Sequence, residues 1–382
     1  MKKRVISDTS SSSSSSSEEE NEMVDILAPD EDPVPAAKRL AQDKILTREL
    51  RESLERDGAV IVPSVLPPAL CKELHEEMLE YHRKWNPALE PDRPQNWTGE
   101  RKPPGPHGLN QFDGHQPFCW KVRQHPRVVQ VFAELYDVRP QDLLVSFDGF
   151  RFLIKGRKYL NDLTRHRWGH TDQGKHMYND AYQCVQASVA VTSSADWADG
   201  DFVFWKHSHK AHRGYFEKHP DAFKDKKGKE TLANWYKYPG SYFDEIERDG
   251  TRYMRPSDRP EDGSPVPMSR VRVRRHAGDM VLWYSTTTHQ SQPPTIEARH
   301  DAAAIFVCMA PRKHATAKEL ERRVKAFEER RTTCHWPVRG FKMFQKVPFR
   351  SDPEAFKRGK EGVGSPEPQP TALGRRLIGY VE

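Results

Sequence analysis

The chain has 382 residues, of which 36% are hydrophobic and 30% charged, with thirty prolines. That is enough apolar material for a sizeable core with long surface loops, and the composition excludes a membrane-embedded bundle and a wholly disordered chain. One large catalytic domain behind a leader suits the length better than two equal domains, because β-domains with insertions run to about 250 residues as one unit. The net charge of +6 is uneven, since Glu18 to Asp32 holds eight acidic residues and no basic one. The body is therefore more basic than the total, which favours anionic partners in general, although solvated lysine and arginine is the plainer account. Five cysteines without a C-x-x-C pair exclude a disulfide framework and a structural zinc site, and point to a reducing compartment. No apolar run approaches the roughly 18 residues of a membrane span, and Met1 to Arg4 leads into serines instead of a signal-peptide core. The cytoplasm is expected, with the nucleus as second choice.

Residues 1–43, with the serine run Ser10 to Ser17 and the acidic block, bury too little apolar surface to order and predict a disordered tail. Serines beside Glu18 to Glu20 offer targets for an acid-directed kinase. Order is expected from Lys44, where Ile45, Leu46, Leu50 and Leu54 recur at helical spacing and Asp57-Gly58 stops the helix. Ala59 to Val62 then reads as a strand. Pro67-Pro68 opens a second helix with Leu70, Leu74, Met78 and Tyr81 on one face, and residues 86–118 read as a long loop. From there short runs rich in Val, Ile, Phe, Trp and Tyr predict strands over 143–147, 150–154, 184–192, 202–205, 280–284 and 302–309. Strands without alternating helices predict a β-sandwich or barrel. The polar stretch 210–270 reads as an insertion between sheet halves, and 351–382 as a C-terminal extension of the domain 44–350. No internal repeat is visible.

The chemistry concentrates in His170-Thr171-Asp172. On a strand, residues i and i+2 share a face, so His170 and Asp172 project together as a two-ligand clamp. Such a tripeptide is common by chance, and the downstream residues give it weight. Gly278-Asp279 turns into the strand Met280 to Tyr284, at whose end His289 is placed to supply a third ligand, ten residues before Arg299. Two histidines and a carboxylate on one face of Fe(II) leave positions open for a co-substrate and O2. Arg299, ahead of an apolar strand, is placed to grip a carboxylate with two parallel hydrogen bonds.

These residues carry a family resemblance. Arg56 to Val62, Gly169-His170-Thr171-Asp172-Gln173, Asp199 to Lys210, Gly278 to Trp283, His289-Gln290-Ser291 and Arg299 together resemble the phytanoyl-CoA dioxygenase-like branch of the Fe(II)/2-oxoglutarate oxygenases over roughly residues 45–345. The resemblance implies a mainly β fold with flanking helices around a double-stranded β-helix (jelly-roll, cupin-like) core. It implies His170, Asp172 and His289 as iron ligands and catalytic residues, Arg299 and Ser291 as partners of 2-oxoglutarate, and Gln186 as a weaker co-substrate contact. Fe(II), 2-oxoglutarate and O2 are the implied cofactors. Oxidative decarboxylation to succinate would drive hydroxylation of an aliphatic carbon in a small or lipid-like metabolite, and retention of Asp172 speaks against halogenation.

One departure is His207, which stands where the family has glycine in a Gly-Ser-His turn. His207-Ser208-His209 also forms a rival strand-borne pair, disfavoured because no arginine accompanies it. His166, His176, His212 and His276 are read as surface or hydrogen-bonded, Trp168, Trp205 and Trp283 as core aromatics, and Arg331 to Pro337 has no chemical assignment. Two other functions compete. Alternating arginines over Arg270 to Arg275 would let a protein or nucleic-acid oxygenase track phosphates, although nucleic acid is the less favoured partner. A non-catalytic metal- or ligand-binding β-barrel module would keep the fold without turnover.

Overall fold

The computed structural model describes residues 24–26, 44–85, 89–90, 92–93, 108–156, 168–174, 183–224, 228–229, 235–344, 357 and 366–381. Most of the expected tail and of the loop 86–118 lies outside the described residues, as do His166 and His176.

After the short strand β1 (Val24–Ile26), Thr47 accepts a hydrogen bond from the Leu50 N–H and so caps α1 (Arg48–Asp57), while Gly58 at φ +90° ends it and turns the chain into β2 (Ala59–Val62). Helix α2 (Pro68–Trp85) follows, then β3 (Leu109–Asn110) and two helices that each begin on proline, α3 (Pro117–Arg123) and α4 (Pro126–Tyr136). The remaining strands are β4 (Leu143–Val145), β5 (Phe150–Leu153), β6 (His170–Thr171), β7 (Val185–Ala190), β8 (Phe202–Trp205), β9 (Tyr236–Lys237), β10 (Arg270–Val273), β11 (Met280–Tyr284), β12 (His289–Ser291) and β13 (Ala302–Pro311). Helices α5 (Ser208–Lys218) and α6 (Gly240–Arg248) interrupt them, and α7 (Ala317–Glu328) and α8 (Ala372–Ile378) close the chain.

The strands form two sheets. One runs β2-β11-β7-β13-β5-β3, with β4 also on β13, and the other runs β10-β8-β12-β6-β9, extended at its edge by the parallel strand Val24–Ile26. Every other pairing is antiparallel. The period of two sorts the side chains. Val62, Val185, Val189, Leu282 and Ile305 point outward onto α2, α3 and α4, in one cluster with Leu74, Met78, Trp120 and Phe132. Ala59, Ile61, Val281 and Trp283 point inward, where Phe202, Phe204, Val271 and Val273 of the other sheet meet them. This is the expected jelly roll, two facing sheets and not a closed barrel.

Three features differ from expectation. His289 does not end β11: the turn Ser285 to Thr288 carries the chain across to the other sheet, and His289 opens β12 there. The stretch 210–270 is not merely solvated. Tyr215, Phe216, Phe223, Tyr238, Tyr242 and Phe243 bury together around Trp205, a second aromatic core that average polarity conceals. The C-terminal helix α8 is no loose extension, because Leu377 and Ile378 are fully buried in the main core.

Buried Arg323 on α7 joins that helix to the rest. Its guanidinium donates to the carbonyls of Ile378 and Leu377 at 3.0 Å, of Val145 at 2.6 Å, and of Pro337. Burial pushes its pKa down to about 9, so it is still charged at neutral pH. Replacing Arg323 by Ala strips these carbonyls of a buried donor, and urea unfolding should show a loss of about 3 kcal/mol or more.

Candidate metal centre

Strand β6 is only two residues long, yet it pairs His170 directly with His289 of β12. Asp172 follows the strand end, its N–H donating to the Ser285 carbonyl at 3.0 Å. The three side chains converge. His170 Nε2 lies 3.7 Å from Asp172 Oδ1, and His289 Nε2 lies 3.3 Å from Asp172 Oδ2. One ligand atom from each residue falls within 4.8 Å of the others, and among the described residues this is the group of three that can hold a metal ion. Metal–nitrogen bonds of about 2.1 Å put neighbouring donors about 3 Å apart, so the donors need to close only slightly on an ion.

Hydrogen bonds set the donor atoms. His289 Nδ1 is 2.9 Å from the Thr287 carbonyl, which can only accept, so Nδ1 carries the proton and Nε2 can offer its lone pair toward Asp172. Burial, with help from neighbouring His289, pushes His170 down to about 4, against the pull of Asp172. It is a neutral imidazole at neutral pH. Burial pushes the Asp172 carboxyl up, but the close imidazoles of His289, His170 and His335 outweigh it and hold the group well below the usual carboxylate range. The set is two imidazole nitrogens and one carboxylate, the donor chemistry of a facial Fe(II) site.

The backbone around β6 is held from every side. The Asp172 carbonyl accepts from His335 Nε2 at 2.9 Å and Trp336 Nε1 at 3.2 Å, and the Gln173 carbonyl accepts from His212 Nε2 at 2.9 Å. Strand β9 pairs with β6, and Tyr238 N–H donates to Gly169 O at 3.1 Å, so the 210–270 insertion supplies the bracing edge strand. Gly169 is required, because a Cβ there would lie 2.7 Å from the Phe243 ring and 2.9 Å from Trp205. Beyond the backbone, Gln186 Nε2 donates to Asp172 Oδ2 at 3.1 Å. Trp168 stacks on His170 at 4.9 Å, while Phe202 and Trp283 flank His289 at 5.3 and 5.5 Å.

The other expected residues are placed as follows. Ser291 lies two residues beyond His289 and so shares its strand face, half-buried. Gln186 meets Asp172 itself. Arg299 is not brought to the cluster: it is exposed on the loop between β12 and β13, where the Asp199 carboxylate accepts the N–H groups of Arg299 and His300 at 2.8 and 2.9 Å and fixes the turn. The rival pair is occupied elsewhere, since His207 Nδ1 donates to Arg56 O at 2.8 Å and His209 Nε2 to Glu55 O at 3.0 Å. His207 adopts φ +64°, the left-handed conformation that glycine would take at lower cost. His335 and Trp336 are the functional positions that sequence reasoning left unassigned.

Two substitutions test the supporting contacts. Gln186→Ala and His335→Ala should each weaken metal affinity about 10- to 100-fold, read by anaerobic Co(II) titration, with far-UV circular dichroism unchanged. Gly169→Ala should do the same while also lowering the melting temperature.

Comparison with known proteins agrees with this architecture. The family model described as phytanoyl-CoA dioxygenase matches residues 54–300, a span that includes all three converging residues. Ava biosynthesis cluster protein O of Aspergillus versicolor is 26% identical over 296 residues, 76% of this chain and 86% of the relative. A hypothetical protein of Escherichia coli aligns with a TM-score of 0.50 at 12% identity, over 90% of this chain and 84% of its own, and supports the fold. HygX of Streptomyces hygroscopicus, solved with nickel and 2-oxoglutarate bound, aligns with a TM-score of 0.40 at 14% identity over 70% of this chain and 87% of its own. Among the described residues no helix is long and apolar enough to cross a membrane. The chain belongs to the phytanoyl-CoA dioxygenase family, oxygenases that work with Fe(II), 2-oxoglutarate and O2.

Proposed function

We propose that His170, Asp172 and His289 hold Fe(II), and that the protein hydroxylates an aliphatic carbon of a small or lipid-like metabolite while 2-oxoglutarate is decarboxylated to succinate. The observation that carries this reading is the convergence of the three side chains with His289 Nδ1 committed to Thr287, so that its Nε2 is available for a metal. When bound, the iron supplies O2 activation coupled to decarboxylation. The protein's own contributions are positional. Asp172 provides the anionic ligand, Gln186 orients it, and Ser291 lies on the same strand face as His289, where it can donate to the co-substrate. Trp168, Phe202 and Trp283 surround the imidazoles with apolar surface that limits water.

A small-molecule substrate is favoured over a macromolecule on two grounds. The relative from Aspergillus versicolor is named for a biosynthesis cluster. The arginines over Arg270 to Arg275 form no phosphate-tracking face, because Arg272 is fully buried with its guanidinium on the Ser194 and Asp196 carbonyls, and Arg275 is buried against Asp201. Five buried free thiols suit a cytoplasmic or nuclear setting.

Anaerobic addition of Fe(II) and then 2-oxoglutarate to metal-free protein should produce the visible charge-transfer band of the chelate, and O2 should then yield succinate. His170→Ala and Asp172→Ala should abolish the band and leave the melting temperature within a few degrees of wild type. A folded, iron-binding wild type that gives no band would sink the reading.

A further inference from the structure

We infer that the substrate enters the space between the sheets beside Phe306, and that the carboxylate of Asp148 there takes a protonated amine of it, so that the metabolite is a cationic one. This rests on the proposed iron site and names the class of substrate that the site would serve.

A bulge aims Asp148. Between the pairs Val145–Met309 and Phe150–Ile305 the stretch joining β4 to β5 has four residues against three on β13, and an extra residue of this kind re-aims a side chain. Phe147 and Phe150 on either side both point outward, Phe147 onto Trp120 and Phe150 onto Phe118. Asp148, next to Phe147, therefore turns to the inward face.

Exposure shows what that face meets. From Leu143 to Ile154 every residue is buried except Asp148, and on β13 every residue is buried except Phe306. The two are neighbours, since the Phe306 N–H donates to the Gly149 carbonyl at 3.2 Å. Phe306 packs against the inward cluster that holds Phe202 and Trp283, and those two rings also flank His289. The accessible space beside Phe306 and Asp148 thus leads to the metal residues, where the side chains of His170 and Asp172 are themselves 15% and 21% exposed.

The register sets the span. Cys308 of β13 pairs with Gln186, whose amide reaches Asp172, and on its other side the Cys308 carbonyl accepts from the Ser146 N–H at 2.7 Å. Two strand spacings, about 10 Å, therefore separate Asp148 from Gln186. A chain of about five carbons, with its nitrogen hydrogen-bonded to Asp148, covers that distance and brings a C–H bond to the metal end.

Charge selects the nitrogen. Asp148 Oδ1 accepts the Gly149 N–H at 2.7 Å, and Arg123 donates to the Asp148 carbonyl oxygen, not to the carboxylate. Among the described residues no cation forms an ion pair with that carboxylate. Burial holds the carboxyl up at about 6, with the charge of Asp172 adding to it and the Gly149 N–H and Arg123 opposing, so it is mainly ionised at neutral pH. An enclosed carboxylate is stabilised by a cation that the substrate brings. A hydroxyl would satisfy the hydrogen bond and leave the charge uncompensated, and an anionic group would be repelled.

The test is anaerobic calorimetric titration of protein loaded with Fe(II) and 2-oxoglutarate, using pentylamine, which is protonated at neutral pH, and 1-pentanol as probes. Wild type should bind pentylamine about 10- to 100-fold more tightly than 1-pentanol, the worth of a hydrogen bond to a charged group. Asparagine still accepts the Gly149 N–H, so Asp148→Asn should keep the chelate band and the melting temperature and lose the preference. Equal binding of the two probes by wild type, or a preference retained in Asp148→Asn, overturns the assignment. Proton NMR of wild type loaded with Co(II) decides if that variant does not fold: the metal should relax the terminal methyl of pentylamine faster than the protons beside nitrogen, and the reverse order overturns the proposal. A wild type that binds iron and forms no chelate band, seen before either probe is added, would reject the co-substrate reading and the proposal with it.

Discussion

The site depends on a strand too short to hold itself. β6 is two residues long, and its ladder cannot fix the direction of His170 or of Asp172 just beyond it. The surrounding structure supplies what the strand lacks. β12 pairs on one side and β9 on the other, and His212, His335 and Trp336 hold the carbonyls that follow. The support extends further still, because Arg323 ties the Pro337 carbonyl, one residue past Trp336, to β4 and to the C-terminal helix. A segment some two hundred residues downstream of Asp172 is thereby part of what orients the carboxylate.

This explains the insertion as well. Residues 210–270 form an aromatic core around Trp205 whose edge reaches Gly169, and β9 emerges from it to pair with His170 and Thr171. The insertion therefore acts first as a buttress for one metal-facing strand. Trp205 serves both sides, with its ring against Phe243 at 4.7 Å and its backbone N–H on the Thr288 carbonyl beside His289.

What could be read from the residues follows from the range of the interactions. Strand alternation is local, so His170 with Asp172 and the runs 202–205 and 280–284 were legible, as was the cap-and-stop pattern of α1. The bracing contacts were not, because His335, Trp336 and His212 bind main-chain carbonyls, which any sequence offers and no motif marks. The position of Arg299 was not legible for a related reason. Its spacing from His289 is local, but the carboxylate of Asp199, a hundred residues away, sets the turn that holds it. Crossing from β11 to β12 was likewise hidden, since four polar residues can end a strand or change sheets equally well.

Charge is arranged along the interior in a definite order. At one end a single carboxylate, Asp172, is surrounded by imidazoles that stabilise its ionised form. At the other, two guanidiniums share one carboxylate, Asp201, whose own charge is held ionised against burial by Arg275, Ser194 and Arg151. Between them the inner wall of β7 presents an amide and a hydroxyl, Gln186 and Ser188, each already committed to one end. The inward faces thus carry an anionic end at Asp172 and a guanidinium end at Arg275 and Arg151, with no further charged side chain on the β7 wall between them. That polarity is a property of the two sheets' inward faces, set by the period-two alternation of side chains along their strands.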